Sequence, residues 1–422
     1  MSPAPGRFPL LAYPAFVRLW IADGVSTLGT FIATLGVQFL MIHHLGADQA
    51  DIGLVRAAQW LPTLVFGLLA GVWLDRVRRR PVLIGADTLA AVSLGTIAAL
   101  AFTDLLSVPA LAGLMFLVGT ATMFFRAGQQ SYLPSLVPAR MMPRAFARLE
   151  RTMTAAESVG PVVAGALIRV VSAPAAIAVN AFTYPLSAVL LASVGGGEAQ
   201  PGAAGQRRVL ADLREGASWV YRHATLAPYA VGLHLWFLGH SLITTLYVFY
   251  ANQELGLDAF AVGLTLACAG VTGVLAAGLS PRLGQRFGVG RMCVLSDWIT
   301  PLAYVLVLLA PPGGTGVLVL CLAYGVHGVG MGLKGPLEGS YRNAVTPDRL
   351  RGRMNATIRT FNWGMLAVSG PLAGAMAVAW GNRPTIIAAI GVLVLAAGVV
   401  TFSPFRRAQM PRDPDVVGAA TP

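Results

Sequence analysis

Eight ionisable side chains stand inside stretches that are otherwise apolar: Asp23, Arg56, Asp87, Arg126, Glu157, Asp297, Lys334 and Glu338. A charge held at the centre of a hydrocarbon layer costs at least ~2.5 kcal/mol, so residues of this kind serve ion pairing, proton exchange or ligand binding. A carboxylate that lets go of a cation when it takes up a proton is one workable coupling device. A different pattern is set by GVWLDRVRRRP (71–81), which packs one carboxylate and four guanidiniums between two long apolar runs. Nucleophilic, metal and nucleotide chemistry lack their signatures: HExxH, GxSxG, GxxxxGK[ST] and any clustered carboxylates are missing, and His43-His44 matches no metal spacing. No cofactor or metal is expected, and the residues do not point to an enzyme.

The elements that must position these side chains are membrane helices. The chain has 422 residues, of which 56% are hydrophobic and 11% charged, against roughly 25% charged in soluble domains. A lipid bilayer is therefore the expected partner for most of the surface, and backbone in that environment must be helical. About 20 apolar residues cross the hydrocarbon. On that criterion the hydropathy predicts twelve spans between residues 15 and 404, with Pro311-Pro-Gly-Gly314 separating two of them. The net charge of +12 raises the possibility of nucleic acid, but the basic residues sit at span ends rather than in an aromatic-interleaved patch, which excludes it. Of the 30 basic residues, 23 fall at the N-terminus, in the even-to-odd loops and in the C-terminal tail, against Arg169 and Arg383 near the opposite loops. By the positive-inside rule both termini are cytoplasmic, in a cell (inner or plasma) membrane.

Residues 195–225 break the spacing. GGGEAQPGAAGQ reads as a flexible tether. In RRVLADLREGASWVYRH, Leu210, Leu213, Ala217 and Val220 recur at helical spacing, as in an amphipathic helix lying on the membrane face. The expected organisation is a bundle over 1–194, the linker over 195–225, a second bundle over 226–405 and a tail over 406–422. Cys268, Cys293 and Cys321 lie far apart in apolar runs, with no pairing framework.

An internal repeat divides the spans equally. Ser131-Tyr-Leu-Pro-Ser-Leu-Val-Pro138 aligns with Ser340-Tyr-Arg-Asn-Ala-Val-Thr-Pro347, 209 residues later, and the same offset matches Arg140 with Arg349 and Gly165-Ala166 with Gly374-Ala375. Six spans per half make the repeats parallel, a plan that places a ligand near the midplane between halves that rock. The offset puts Arg126 beside the equivalent of Lys334 and maps Gln129 onto Glu338. Arg126 lies about ten residues from the nearest loop, roughly 15 Å deep. Two readings of these cations stand. They neutralise Glu157, Asp23 or Glu338, or they form an acid-recognising, protonation-coupled cavity. Asp87 and Asp297 are six or seven residues from loop arginines, where pairing at the interface is expected, and Arg56 near a span end is placed to snorkel.

The fragment Gly71-x3-Asp75-Arg76-x2-Arg79-Arg80 resembles the loop motif of the major facilitator superfamily. FFRAGQQSYLPSLVP with Gly160-Pro-Val-Val-Ala-Gly165, and TPDRLRGRM at 346–354, resemble its enterobactin-exporter and macrolide-efflux branch. The resemblance implies an all-α fold of twelve transmembrane helices in two parallel six-helix repeats. It also implies that Gly71, Asp75, Arg76, Arg79 and Arg80 form a cytoplasmic gate. Its cavity-lining helices would bring in Asp23, Arg126, Gln130, His234, His240, Lys334 and Glu338, joined by Gln129 and by Glu157 as first choice for the proton carrier. The implied activity is proton-coupled efflux of an amphipathic small molecule (a siderophore, antibiotic or drug) by a monomer. An uptake symporter and a non-transporting sensor are the alternatives.

The charge asymmetry carries a direct test of topology. A cysteine placed at Ala203 is expected to stay unlabelled by a membrane-impermeant thiol reagent in intact cells and to react once the membrane is opened. Labelling in intact cells would invert the orientation.

Overall fold

The computed structural model describes residues 9–74, 76–194 and 209–411. Thirteen α-helices account for nearly all of these: α1 Pro14–His43, α2 Gln49–Leu74, α3 Arg79–Phe102, α4 Val108–Leu136, α5 Met142–Val171, α6 Ala173–Ala192, α7 Val209–Arg222, α8 Leu226–Gln253, α9 Ala259–Phe287, α10 Val289–Leu309, α11 Gly314–Ala344, α12 Asp348–Trp380 and α13 Asn382–Thr401. Eleven of them are long and apolar enough among the described residues to cross a bilayer. Of the other two, α2 runs 26 residues with Pro62 inside it, and α7 is the short amphipathic helix. The predicted spans are thus twelve long helices, and the described residues contain no strand.

Contacts divide the chain into two compact units, residues 1–47 with 58–207, and residues 48–57 with 208–422. The first turns of α2 group with the second unit because glycines admit their backbone. Gly53 and Gly370 face each other with no room for a Cβ, and Gly374 lies as close to Gln49 and Ala50. Small residues at a membrane helix contact let backbones approach until side-chain hydroxyls can bridge. The second unit repeats this between α9 and α11, where Gly328 abuts Ala269, Gly332 abuts Gly273 and Ala276, and Ser280 Oγ donates to the Leu333 carbonyl at 2.7 Å.

The repeat seen in the sequence extends to backbone dihedrals. Six of the seven positive-φ residues among the described ones fall in three pairs, each in the turn between an odd and an even long helix of its half. They are Gly46 (φ 57) with Gly256 (φ 69), Asp104 (φ 55) with Gly313 (φ 85), and Ser172 (φ 90) with Gly381 (φ 88). In the first pair an aspartate two residues on caps the next helix. Asp48 Oδ1 accepts from Asp51 N at 2.9 Å, and Asp258 Oδ1 from Ala261 N at 2.8 Å.

α7 packs on α12 within the second unit: Arg353 pairs with Asp212 at 2.7 Å and closely with Glu215. Arg349 joins Glu215 at 2.9 Å, and Trp219 donates to Thr346 Oγ1 at 3.2 Å. The polar face of α7 meets arginines of α12, and Val220 is fully buried. Residues 195–208, including the tether, lie outside the described residues.

Ser172 occupies a φ, ψ of 90°, 162°, a region essentially restricted to glycine, where other residues carry about 1–3 kcal/mol of strain. Its repeat mate is already glycine. Ser172→Gly is expected to raise the apparent melting temperature of the purified protein. A lowered one would show the turn to be unstrained.

Candidate functional site

The first unit gathers a polar cluster where α1, α3, α4 and α6 meet. Asp23, Asp87, Arg126 and Tyr184 line a cavity of about 30 Å³ together with the hydroxyls of Ser26 and Thr30. That is room for about one water. Each side chain arrives by helix register: Asp23 on α1, Asp87 on α3, Arg126 on α4, Tyr184 on α6. Asp87 is only 1% exposed. It faces Asp23 and the Ser187 hydroxyl instead of the interfacial arginines expected for it, because its helical face turns toward α6 rather than toward the loop. Its Oδ2 has no hydrogen-bond partner among the described residues.

Arg126 is the electrostatic hub of this unit. It lies within reach of Asp23 and of Glu157 on α5, and its Nη1 sits 3.8 Å from Met153 Sδ. Glu157 and Gln130 keep accessible surface, as does Arg126 itself. Gln129 approaches Asp23, but its Nε2 is buried without a partner.

In the second unit Lys334 is 6% exposed and Asp297 2%. They form a direct ion pair, Nζ to Oδ1 at 2.6 Å, between α11 and α10. Asp297 thus takes the transmembrane lysine, not a loop arginine: it lies more than two turns inside the helix, where α11 presents Lys334. The ammonium also lies 5.3 Å from the Trp236 ring centroid and 5.6 Å from that of Tyr229. Glu338 accepts a close hydrogen bond from Tyr229 Oη and pairs with Arg342 at 3.6 Å.

The two expected histidines have different surroundings. His234 bridges three helices, Nδ1 to Asn362 Oδ1 at 2.7 Å and Nε2 to Tyr221 Oη at 2.8 Å. His240 stacks at 4.6 Å on Trp236 and at 5.0 Å on His327, while Tyr304 Oη meets its Nδ1 at 2.7 Å. His327, Trp236, Tyr304 and Tyr324 escaped the sequence reading. Neutral rings in apolar runs look like core, and only the i, i+4 spacing of Trp236 and His240 hinted at a shared face. Arg56 was expected to snorkel outward. It instead points into the second unit and donates to Thr244 Oγ1 at 3.3 Å. Cys268 and Cys321, distant in sequence, are in thiol contact between α9 and α11, and all three cysteines are free.

Of the loop motif, Gly71 ends within α2, and Asp75 lies outside the described residues. Arg76 is exposed, and Arg79 opens α3. Arg80 donates from Nε to the Leu191 carbonyl at 3.0 Å and closely to that of Ala192. Arg18 adds a bond to Ser193 O. Two guanidiniums therefore satisfy the last carbonyls of α6, where the helix dipole favours cations. Among the described residues no group of His, Cys, Asp and Glu could hold a metal ion.

Long apolar helices in two units, with charges inside the spans, define a multi-pass helical membrane protein. The fold is shared with solved structures. The nucleoside transporter NupG, as its D323A mutant, superposes with a TM-score of 0.77 at 13% identity, covering 92% of this chain and 99% of that one. A bacterial homologue of the iron transporter ferroportin gives 0.70 at 15%, covering 92% and 98%. A family profile described as transmembrane secretion effector matches residues 6–414, and the chain belongs to that family of the major facilitator superfamily. It is a multi-pass membrane transporter rather than an enzyme. Among relatives, the multidrug efflux pump Tap of Mycolicibacterium fortuitum is 26% identical over 89% of this chain and 92% of its own. Macrolide efflux protein A of Streptococcus pyogenes is 25% identical over 42% and 44%.

Removing one partner of a buried ion pair costs about 3–5 kcal/mol, whereas replacing both with apolar residues is often neutral. Lys334→Met is therefore expected to destabilise the protein, and Lys334→Met combined with Asp297→Leu to recover most of the loss. A single variant as stable as the native chain would show that the pair is not structural.

Proposed function

We propose that this protein is a proton-coupled exporter of amphipathic small molecules, working by alternating access in the cell membrane as a monomer with cytoplasmic termini. The observation that carries the coupling is the polar cluster of the first unit, in which Asp23 and the buried Asp87 share a cavity with one guanidinium, Arg126. Two carboxylates and one cation leave an uncompensated charge in a low-dielectric site, and uptake of one proton makes the cluster electroneutral. Loss of that proton gives Arg126 a second carboxylate to pair with, so its position between the two becomes a function of the proton. Glu157, accessible and in reach of Arg126 from α5, is the entry point for the proton, and Glu338 plays the corresponding part in the second unit. The outward direction follows the relatives, whose names are those of efflux pumps. In the loop motif, Asp75 with Gly71, Arg76, Arg79 and Arg80 closes the cytoplasmic side, and Arg80 ties that loop to the end of α6.

Proteoliposomes carrying an imposed pH gradient test the coupling, with a macrolide as probe. Asp87→Asn is expected to lower gradient-driven accumulation more than tenfold, about 1.4 kcal/mol, while downhill movement of the same compound persists. Native rates in both Asp87→Asn and Asp23→Asn would remove proton exchange from this cluster.

A further inference from the structure

Arg126 and Lys334, the cations first suspected of recognising an acidic ligand, both have carboxylates at hand. Arg126 has Asp23 and Glu157 within reach, and Lys334 has Asp297 at 2.6 Å. Arg56 has none. Its one hydrogen bond goes to the neutral Thr244 hydroxyl, and its Nε is enclosed without a partner. Around it stand groups in the same condition. Tyr324, 3% exposed, has an unpartnered hydroxyl, and His327, 6% exposed, an unpartnered Nδ1. Tyr324 and His240 lie in electrostatic reach of Arg56, and the Tyr324 and His327 rings are 6.4 Å apart. The wall behind them is aromatic: Trp236, His240 and His327 are stacked within 11° of parallel.

Buried polar groups are nearly always satisfied, and several orphans in one place call for a missing partner. A water can serve Tyr324 or His327, but it cannot neutralise a guanidinium. The partner that satisfies all three orphans at once is an anion with more than one acceptor lone pair, and the planar fork of arginine matches a carboxylate in two-point contact. We infer that Arg56, Tyr324 and His327 form a receptor in the second unit for the carboxylate of an organic acid, with Trp236 and His240 flanking its apolar part. Arg56, Thr244 and His240 each keep some accessible surface. The inference rests on the transporter reading above and adds amphipathic acids to its substrate class.

Equilibrium binding to the purified full chain in detergent tests this without any requirement for flux, so failure of coupling and failure of recognition are separable. Benzoate and its neutral isostere benzamide are the probes, followed by thermal shift and by titration calorimetry. Benzoate is expected to bind and to stabilise, benzamide to do neither. Arg56→Gln should weaken benzoate at least tenfold, about 1.4 kcal/mol, and Tyr324→Phe at least threefold. The tyrosine variant removes only one hydroxyl, so it carries the test if Arg56→Gln does not fold. Equal affinity for benzoate and benzamide, absence of benzoate binding, or native affinity in Tyr324→Phe would overturn the receptor. Chloride displacing benzoate at equal concentration would overturn its assignment to organic acids.

Discussion

Hydrocarbon solvates no charge, and a guanidinium or carboxylate placed in it must find its partner among neighbouring helices. The pairings in each unit follow from this. Lys334 is seated between Asp297 and two aromatic faces, Arg126 between carboxylates of α1 and α5, and Glu338 between Tyr229 and Arg342. The same constraint governs the backbone. Glycine contacts between α9 and α11 bring the helices close enough for Thr272 and Ser280 to donate across to main-chain carbonyls, and Arg18 and Arg80 satisfy the open carbonyls ending α6.

The two halves share a backbone plan and differ in charge. Matched left-handed turn residues, 46 with 256, 104 with 313 and 172 with 381, show that the repeat preserves turn geometry even where Ser or Asp stands for Gly. The polar interiors have diverged. The first unit concentrates carboxylates around one arginine, a composition suited to handling protons. The second sets an arginine that has no carboxylate partner among the described residues against stacked rings.

Much was legible in the chain alone. Low charge content, twelve apolar stretches, the placement of 23 of 30 basic residues and the 209-residue offset determined a two-half helical membrane protein, and the residues around 71–80, 124–138 and 346–354 pointed to its superfamily. These signals run along the helix axis, where depth is counted at about 1.5 Å per residue. Azimuth is another matter. A span that is apolar all round carries no periodic signal of which face meets which neighbour, so the sequence could place Asp87, Asp297 and Arg56 at their depths but not choose their partners. Only tertiary packing turned Asp87 toward Asp23, joined Asp297 to a lysine 37 residues away, drew Arg56 inward and set α7 on the arginines of α12. Partner choice depends on rotation about each axis, and rotation is set by contacts between segments that the chain brings together only when it folds.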